Sequence, residues 1–252
     1  MILRKKSNTN GFMTALNGIK NFILDILFPR ICVNCNKFLK SGIVCDLCLK
    51  QVKIYNACAC AVCGKRLPLA KKTCHPKAPY ILAAAADYND VIREIIHVMK
   101  YKHITEAAEP LAKIAEDFIG LSRLPLKNRV IIPIPLHKSR ERKRGFNQAA
   151  LIAEKISLVF NIPVASGALV RIKNTEPQFQ INSRTSGDVG VKTAKAQNLC
   201  DCFEVPNPKQ IARKQVLLVD DITTSGATLR EAAETLKKAG ARNIIALVIA
   251  KA

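Results

Sequence analysis

No stretch of this 252-residue chain comes near the roughly 18–20 consecutive apolar residues that a membrane-spanning helix needs. Aromatic residues are scarce at 5%, yet 49% of the chain is hydrophobic, enough for one sizeable core plus a small module. Acidic residues number 19 against 40 basic ones, a formal charge of +21. That excess suits a polyanionic partner, either nucleic acid or a substrate with several phosphates. The G-x-x-x-x-G-K-[ST] loop of nucleotide hydrolases is missing, which removes that explanation for any phosphate site. A secretory leader is not expected either. Met1–Pro29 is basic and then partly apolar, but Asn17, Lys20, Asn21 and Asp25 interrupt it and no small-x-small cleavage site follows. Within it Phe12, Leu16, Ile19, Ile23 and Ile26 recur at spacings of 3 and 4, the pattern of an amphipathic helix packed on the protein. The expectation is a soluble, cytoplasmic protein.

Cysteine is the residue in surplus. Eight of ten fall between Cys32 and Cys74. Cys32-x₂-Cys35 and Cys45-x₂-Cys48 form two knuckles whose thiolates can converge tetrahedrally on one Zn²⁺. A disulfide framework would need an oxidising compartment, and tight C-x-x-C pairs make poor staples. A second site starts from Cys60-x₂-Cys63 and Cys74, but the expected fourth position holds Lys77. Cys58 or His75 could complete it, and His75 would need a sharp turn beside Cys74, which favours Cys58. One or two zinc ions are therefore expected, and two four-cysteine sites would lower the charge to about +17. Cys200 and Cys202 read as plain strand residues.

The 215–219 run ends in Asp220 and Asp221, and Ile222-Thr223-Thr224-Ser225-Gly226-Ala227-Thr228 leads into a helix. Backbone N–H groups from Ser225 to Thr228, hydroxyls of Thr224, Ser225 and Thr228, and the positive helix end make an anion cradle. The two acids lie at the carboxyl end of the strand, where α/β sheets bind ligands, and can accept from sugar hydroxyls or hold a cation. These residues resemble the phosphoribosyl-diphosphate (PRPP) motif of type I phosphoribosyltransferases. A plain acidic turn with good N-caps is the alternative.

A second strand-to-helix connection follows the 130–134 strand and is cationic. Five of the seven residues from Lys138 to Arg144 are basic, and Arg140 and Arg144 could grip a pyrophosphate. Phe28-Pro29-x-x-Cys-x-x-Cys, Tyr88-x-x-x-x-Arg93…Lys100-Tyr101, Pro133-x-Pro135…Arg144-Gly145-Phe146-Asn147-Gln148 and the Asp220 loop occur in this order. The order resembles the ComF (competence protein F) family, a double zinc ribbon fused to a type I phosphoribosyltransferase domain. Arg171, Thr175 and Gln178 also match that family, whereas Asn182–Gln197 is longer and Gly/Ser/Lys-rich, so the basic slot among Arg184, Lys192 and Lys195 is open.

The resemblance implies PRPP as substrate with Mg²⁺, the 5-phosphate on Thr224, Ser225, Gly226, Ala227 and Thr228, and pyrophosphate on Arg140 and Arg144. Asp220 and Asp221 would be the catalytic acids, Asp221 the better base. It further implies a role in uptake of single-stranded DNA during natural competence, with a helicase-like partner. A single-stranded-DNA-binding accessory protein that keeps the pocket as a sensor or relic is the second reading. The expected domains are an amphipathic helix at 1–29, a double zinc ribbon at 30–79 and a phosphoribosyltransferase domain at 80–252. Strands at 81–88, 130–134, 215–220 and 244–250 alternate with helices at 90–102, 106–119, 147–160 and 228–239, which predicts an α/β fold with a parallel sheet. Residues 171–200 are the expected mobile hood. His97 and His103 read as surface or core filling.

Overall fold

The computed structural model describes residues 29–67, 74–174 and 201–252. The stretch 12–27 and most of 171–200, with Thr175, Gln178, Arg184, Lys192, Lys195, Asn198 and Cys200, lie outside the described residues.

Apolar runs build the sheet. Strands β1 (Cys58–Cys60), β2 (Arg66–Leu67), β3 (Ile81–Asp87) and β4 (Arg129–Pro133) come first in the chain. A separate two-stranded ribbon pairs β5 (Val170–Arg171) with β6 (Phe203–Glu204), and β7 (Gln215–Thr223) and β8 (Ile244–Lys251) complete the main sheet. Its order is β2-β1-β3-β8-β7-β4. The four strands β3, β8, β7 and β4 are parallel, and β1 and β2 add antiparallel at one edge. In β8 every residue from Ile244 to Ala250 is buried, as a central parallel strand covered on both faces must be.

Helices cover both faces. α1 (Asp46–Leu49) belongs to the cysteine module, and α2 (Asp90–Tyr101), α3 (Ala108–Ser122), α4 (Lys138–Arg144), α5 (Gln148–Phe160) and α6 (Ala227–Lys238) surround the parallel strands. The period-2 geometry of β7 divides the core. Leu217 and Val219 pack with Ile92, Ile95, Phe118, Ile152 and Ile156 of α2, α3 and α5. Val216 and Leu218 pack on the opposite face with Leu229, Ala232, Ala233 and Leu236 of α6. The parallel α/β expectation holds, with element ends shifted by a residue or a few.

One element differs in kind. Residues 138–144, expected as a loop, form helix α4. The His137 side chain caps it by accepting from the Ser139 amide, and Gly145 ends it in the left-handed conformation at φ 80°. Its Lys, Arg and Glu residues are good helix formers, but none is buried, so no apolar periodicity announces the helix.

The cysteine module is joined to the sheet rather than appended to it. Ala59 pairs with Leu82 and Cys60 with Ile81, while the Tyr55 amide donates to Ala85 O at 2.8 Å. At the amino-terminal edge of the sheet Arg129 is buried, and its guanidinium donates to Pro125 O at 2.6 Å, Val216 O at 3.0 Å and Asn243 Oδ1 at 2.7 Å. Burial lowers its pKa to about 10, still far above neutrality. Among the described residues no helix is long and apolar enough to cross a membrane.

Candidate functional site

The carboxyl ends of β7 and β4 and the helices that follow them open into a cleft of about 790 Å³. Its wall on the β7 side is the loop read from the sequence. Thr224, Gly226, Ala227 and Thr228 line the cleft, whereas Ser225 is exposed and its hydroxyl receives the Ala227 amide at 3.4 Å. Gly226 is the N-cap of α6 at φ 74°, and having no side chain it places no cap of its own between the helix start and a ligand. Glycine is required there twice over. The left-handed conformation disfavours a side chain, and a Cβ would come within 2.8 Å of the Tyr80 hydroxyl, which itself donates to Gly226 O at 3.4 Å.

The acid pair divides its work. Asp221, only 3% exposed, is turned toward α2, where Lys100 forms an ion pair with its Oδ2. Asp220 lies on the other face of the strand, accepts the Asp221 amide on Oδ1 at 2.9 Å and keeps part of its surface in the cleft. Burial, then the charge of Asp221, push the Asp220 pKa well above the ordinary carboxylate range, against the pull of Lys100. Among the described residues, Asp220 and Asp221 are the acids that line the cleft. Asp221, read from the sequence as the better base, is the one whose carboxylate is already held.

The opposite wall is cationic. Arg140, Lys143 and Arg144 of α4 face the cleft, and Arg144 donates to Gln148 Oε1 at 2.6 Å. Arg171 also reaches it, its guanidinium 5.4 Å from the centre of the Phe203 ring. Sequence reasoning assigned no role to the third wall, from α2 and the residues flanking it: Tyr88, Arg93, His97, Lys100, Tyr101 and His103. His97 and His103 are surface residues, as expected, but the surface is that of the cleft. The signal was available in the helical spacing of 93, 97 and 100, opposite the buried stripe Ile92, Ile95 and Met99.

The cysteines form two clusters. Cys32, Cys35, Cys45 and Cys48 bring their sulfurs within 4.8 Å of one another. Cys32–Cys48 and Cys35–Cys45 are 3.8 and 3.7 Å apart, far from the roughly 2.05 Å of a disulfide. These separations are near the edge of a tetrahedron with Zn–S bonds of about 2.3 Å. Burial opposes the Cys32 thiolate, yet the amides of Cys35, Cys45 and Asn34 outweigh it and bring its pKa to about 6. In the second cluster burial likewise opposes the Cys60 thiolate, and the amides of Cys63 and Val62 lead in lowering its pKa to about 6. Both donor sets fit Zn²⁺.

The second cluster corrects one assignment. It comprises Cys60, Cys63, Cys74 and His75, not Cys58. His75 Nδ1 lies 3.5 Å from Cys60 Sγ and 3.3 Å from Cys74 Sγ, and a turn closed by Ala78 N donating to His75 O supplies the bend. Cys58 is instead buried in the core, and burial raises its pKa to about 12, so it stays a thiol. Cys202 is fully buried but stands one residue before β6 rather than in a strand.

Two family models match the chain. Residues 23–77 match the double zinc ribbon domain and residues 100–252 the phosphoribosyl transferase domain. Competence protein F of Haemophilus influenzae is 27% identical over 91% of this chain and 93% of its own length. Competence protein ComFC of Bacillus subtilis is 29% identical over 84% of this chain and 79% of its own. DNA utilization protein YhgH of Escherichia coli K12 is 27% identical over 84% and 93%. The transferase match alone takes in more than half of the residues, and the chain belongs to the phosphoribosyl transferase domain family, here joined to a double zinc ribbon.

Proposed function

We propose that the cleft binds PRPP with Mg²⁺ and that the protein transfers the phosphoribosyl group to a nitrogen nucleophile, as part of the handling of incoming DNA. The observation that carries this reading is the shared cleft. A helix start that Gly226 caps with no side chain, the partly buried acid Asp220 and the arginines of α4 surround one space of about 790 Å³. The 5-phosphate takes the Thr224–Thr228 loop, the ribose hydroxyls donate to Asp220, and the pyrophosphate takes Arg140 and Arg144. Mg²⁺ is held by one or two carboxylates and otherwise by substrate oxygens and water. The cleft fits that pattern because Asp220 offers one carboxylate while Lys100 occupies Asp221. When bound, the ion would neutralise charge on the departing pyrophosphate.

In the transfer itself the nitrogen lone pair forms the new bond to C1. The C1–O bond breaks and its electron pair leaves with pyrophosphate, whose charge the arginines stabilise. The surplus proton on the nitrogen leaves with the departing pyrophosphate or passes to water, Asp220 being taken up by the ribose and the cation. The zinc ribbon and the transferase unit from residue 80 share a sheet edge through β1 and β3, and cysteines kept as thiolates for Zn²⁺ favour a reducing compartment, the cytoplasm.

Calorimetry with PRPP and Mg²⁺, followed by detection of released pyrophosphate with amine and nucleobase acceptors, tests the reading. Binding with pyrophosphate release that is lost in Asp220→Asn/Asp221→Asn supports it; no PRPP binding refutes it. The names of the relatives and the charge of +21 favour one second reading, a DNA-binding accessory that does no transfer. It predicts affinity for single-stranded DNA that falls steeply with salt and survives the same double substitution.

A further inference from the structure

We propose that His97 and Tyr101 form a stacking platform on which the cleft takes a planar heteroaromatic ring. As the acceptor side of the transfer, this assignment rests on the function proposed above. On α2 the residues Arg93, Ile96, His97, Lys100 and Tyr101 lie within one stripe and all line the cleft, while Ile92, Ile95, Val98 and Met99 fill the core. Lys100 of that stripe touches Asp221, which sets the two rings beside the acid pair. The rings are 5.0 Å apart with planes tilted by 41°, and Tyr101 is 66% exposed. Burial therefore does not explain this pair; an open aromatic surface at the rim of the ligand cleft does.

The far end of the platform is fixed. His103 meets the Phe146 ring edge-on at 6.4 Å, and its Nδ1 lies 2.8 Å from Arg144 O, which ties the end of α2 to the cationic helix α4. Exposed rings flanked by arginines are the combination that receives bases, whose π-faces stack while their phosphates meet the cations. A small aliphatic amine would find little here. Among the described residues the carboxylates lining the cleft are Asp220 and Asp221, and Asp221 is already paired. The ring can belong to a free base or to an unpaired base in a single strand; the chemistry recognised is the same.

The test uses the full chain and 2-aminopurine, whose fluorescence is quenched by stacking and is easily followed in a protein with no tryptophan. One arm adds the free base, the other a short single strand carrying one 2-aminopurine, both with PRPP and Mg²⁺ present. Quenched binding in either arm, weakened roughly tenfold by Tyr101→Ala and kept by Tyr101→Phe, is the expected result. The arm that responds identifies the source of the ring. Binding unchanged in Tyr101→Ala, or lost equally in Tyr101→Phe, overturns the platform. PRPP calorimetry on the same variants separates the two readings: PRPP bound normally with no ring captured defeats the platform alone, whereas no PRPP bound defeats the proposed transfer. Tyr101 is exposed, and thermal unfolding of each variant confirms that the fold is intact.

Discussion

Replacing Gly226 by alanine strikes the proposed phosphate loop in two separable ways. Holding a non-glycine residue at φ 74° costs about 1–2 kcal/mol. In addition, the new Cβ would stand 2.8 Å from the Tyr80 hydroxyl, so either the loop or the ring must move. Tyr80 is 4% exposed and packed in the α6 core, which makes the loop the element that yields. A loop displaced by a few tenths of an ångström misaims the first amides of α6, and a loss of 1–2 kcal/mol corresponds to roughly 5–30-fold in PRPP affinity. Tyr80→Phe removes the atom in contact and leaves the backbone cost. Gly226→Ala/Tyr80→Phe should therefore recover part of the affinity lost in Gly226→Ala, and Tyr80→Phe alone should bind nearly as well as the wild type. Calorimetry on the four proteins closes the cycle. Wild-type affinity in Gly226→Ala, or no recovery in the double variant, would refute the reasoning.

Lys100→Met strips a buried acid of its cation and should cost about 3–5 kcal/mol in urea unfolding, most of it restored by adding Asp221→Asn. Asp220 gives a pH signature. Its folded-state pKa is raised, so between the ordinary carboxylate value and the folded one the native state holds a proton that the unfolded state has lost, and stability falls as pH rises through that window. Asp220→Asn should thus be more stable than the wild type at neutral pH and gain nothing at pH values below the ordinary carboxylate pKa, as urea melts across pH would show. Metal analysis should find two zinc ions per chain, with Cys58→Ala keeping both and His75→Ala losing one. A zinc lost from Cys58→Ala would contradict the cluster.

What the sequence disclosed followed from how local each feature is. β7 and the start of α6 were legible because an apolar run, two acids and a small-residue turn all lie within fourteen positions, 215–228. The Lys100–Asp221 pair was not, because residues that far apart meet only through the packing of α2 on one face of β7. The same geometry distinguishes the two acids. Period-2 alternation put the two acids on opposite faces, and which face held a lysine could not be read from the strand itself. His75 lost to Cys58 on spacing because adjacent ligands look strained, and the turn through Ala78 N that relieves the strain is invisible until the chain is folded. α4 escaped notice for the opposite reason, since every residue in it is polar.

The zinc ribbon and the cleft are mechanically linked by where β1 lies. A small ribbon has little core of its own and would leave Cys58 and Leu67 in water, while β3 would present an open edge. Pairing β1 with β3 solves both problems at once: Cys58 is 1% exposed, Leu67 is 6% exposed and the β3 edge is covered. The cost is coupling. Cys60, a metal ligand candidate, is in register with Ile81, and six residues on, β3 ends at Asp87, which receives the Tyr55 hydroxyl, just before Tyr88 of the cleft wall. Chelation should therefore do more than unfold the ribbon. It should raise hydrogen exchange at the Tyr55 amide and through residues 81–87, and weaken PRPP binding, while α6 and β8 stay protected. A ribbon that melts with the β3 amides unmoved would mean that the shared edge carries no load between the two.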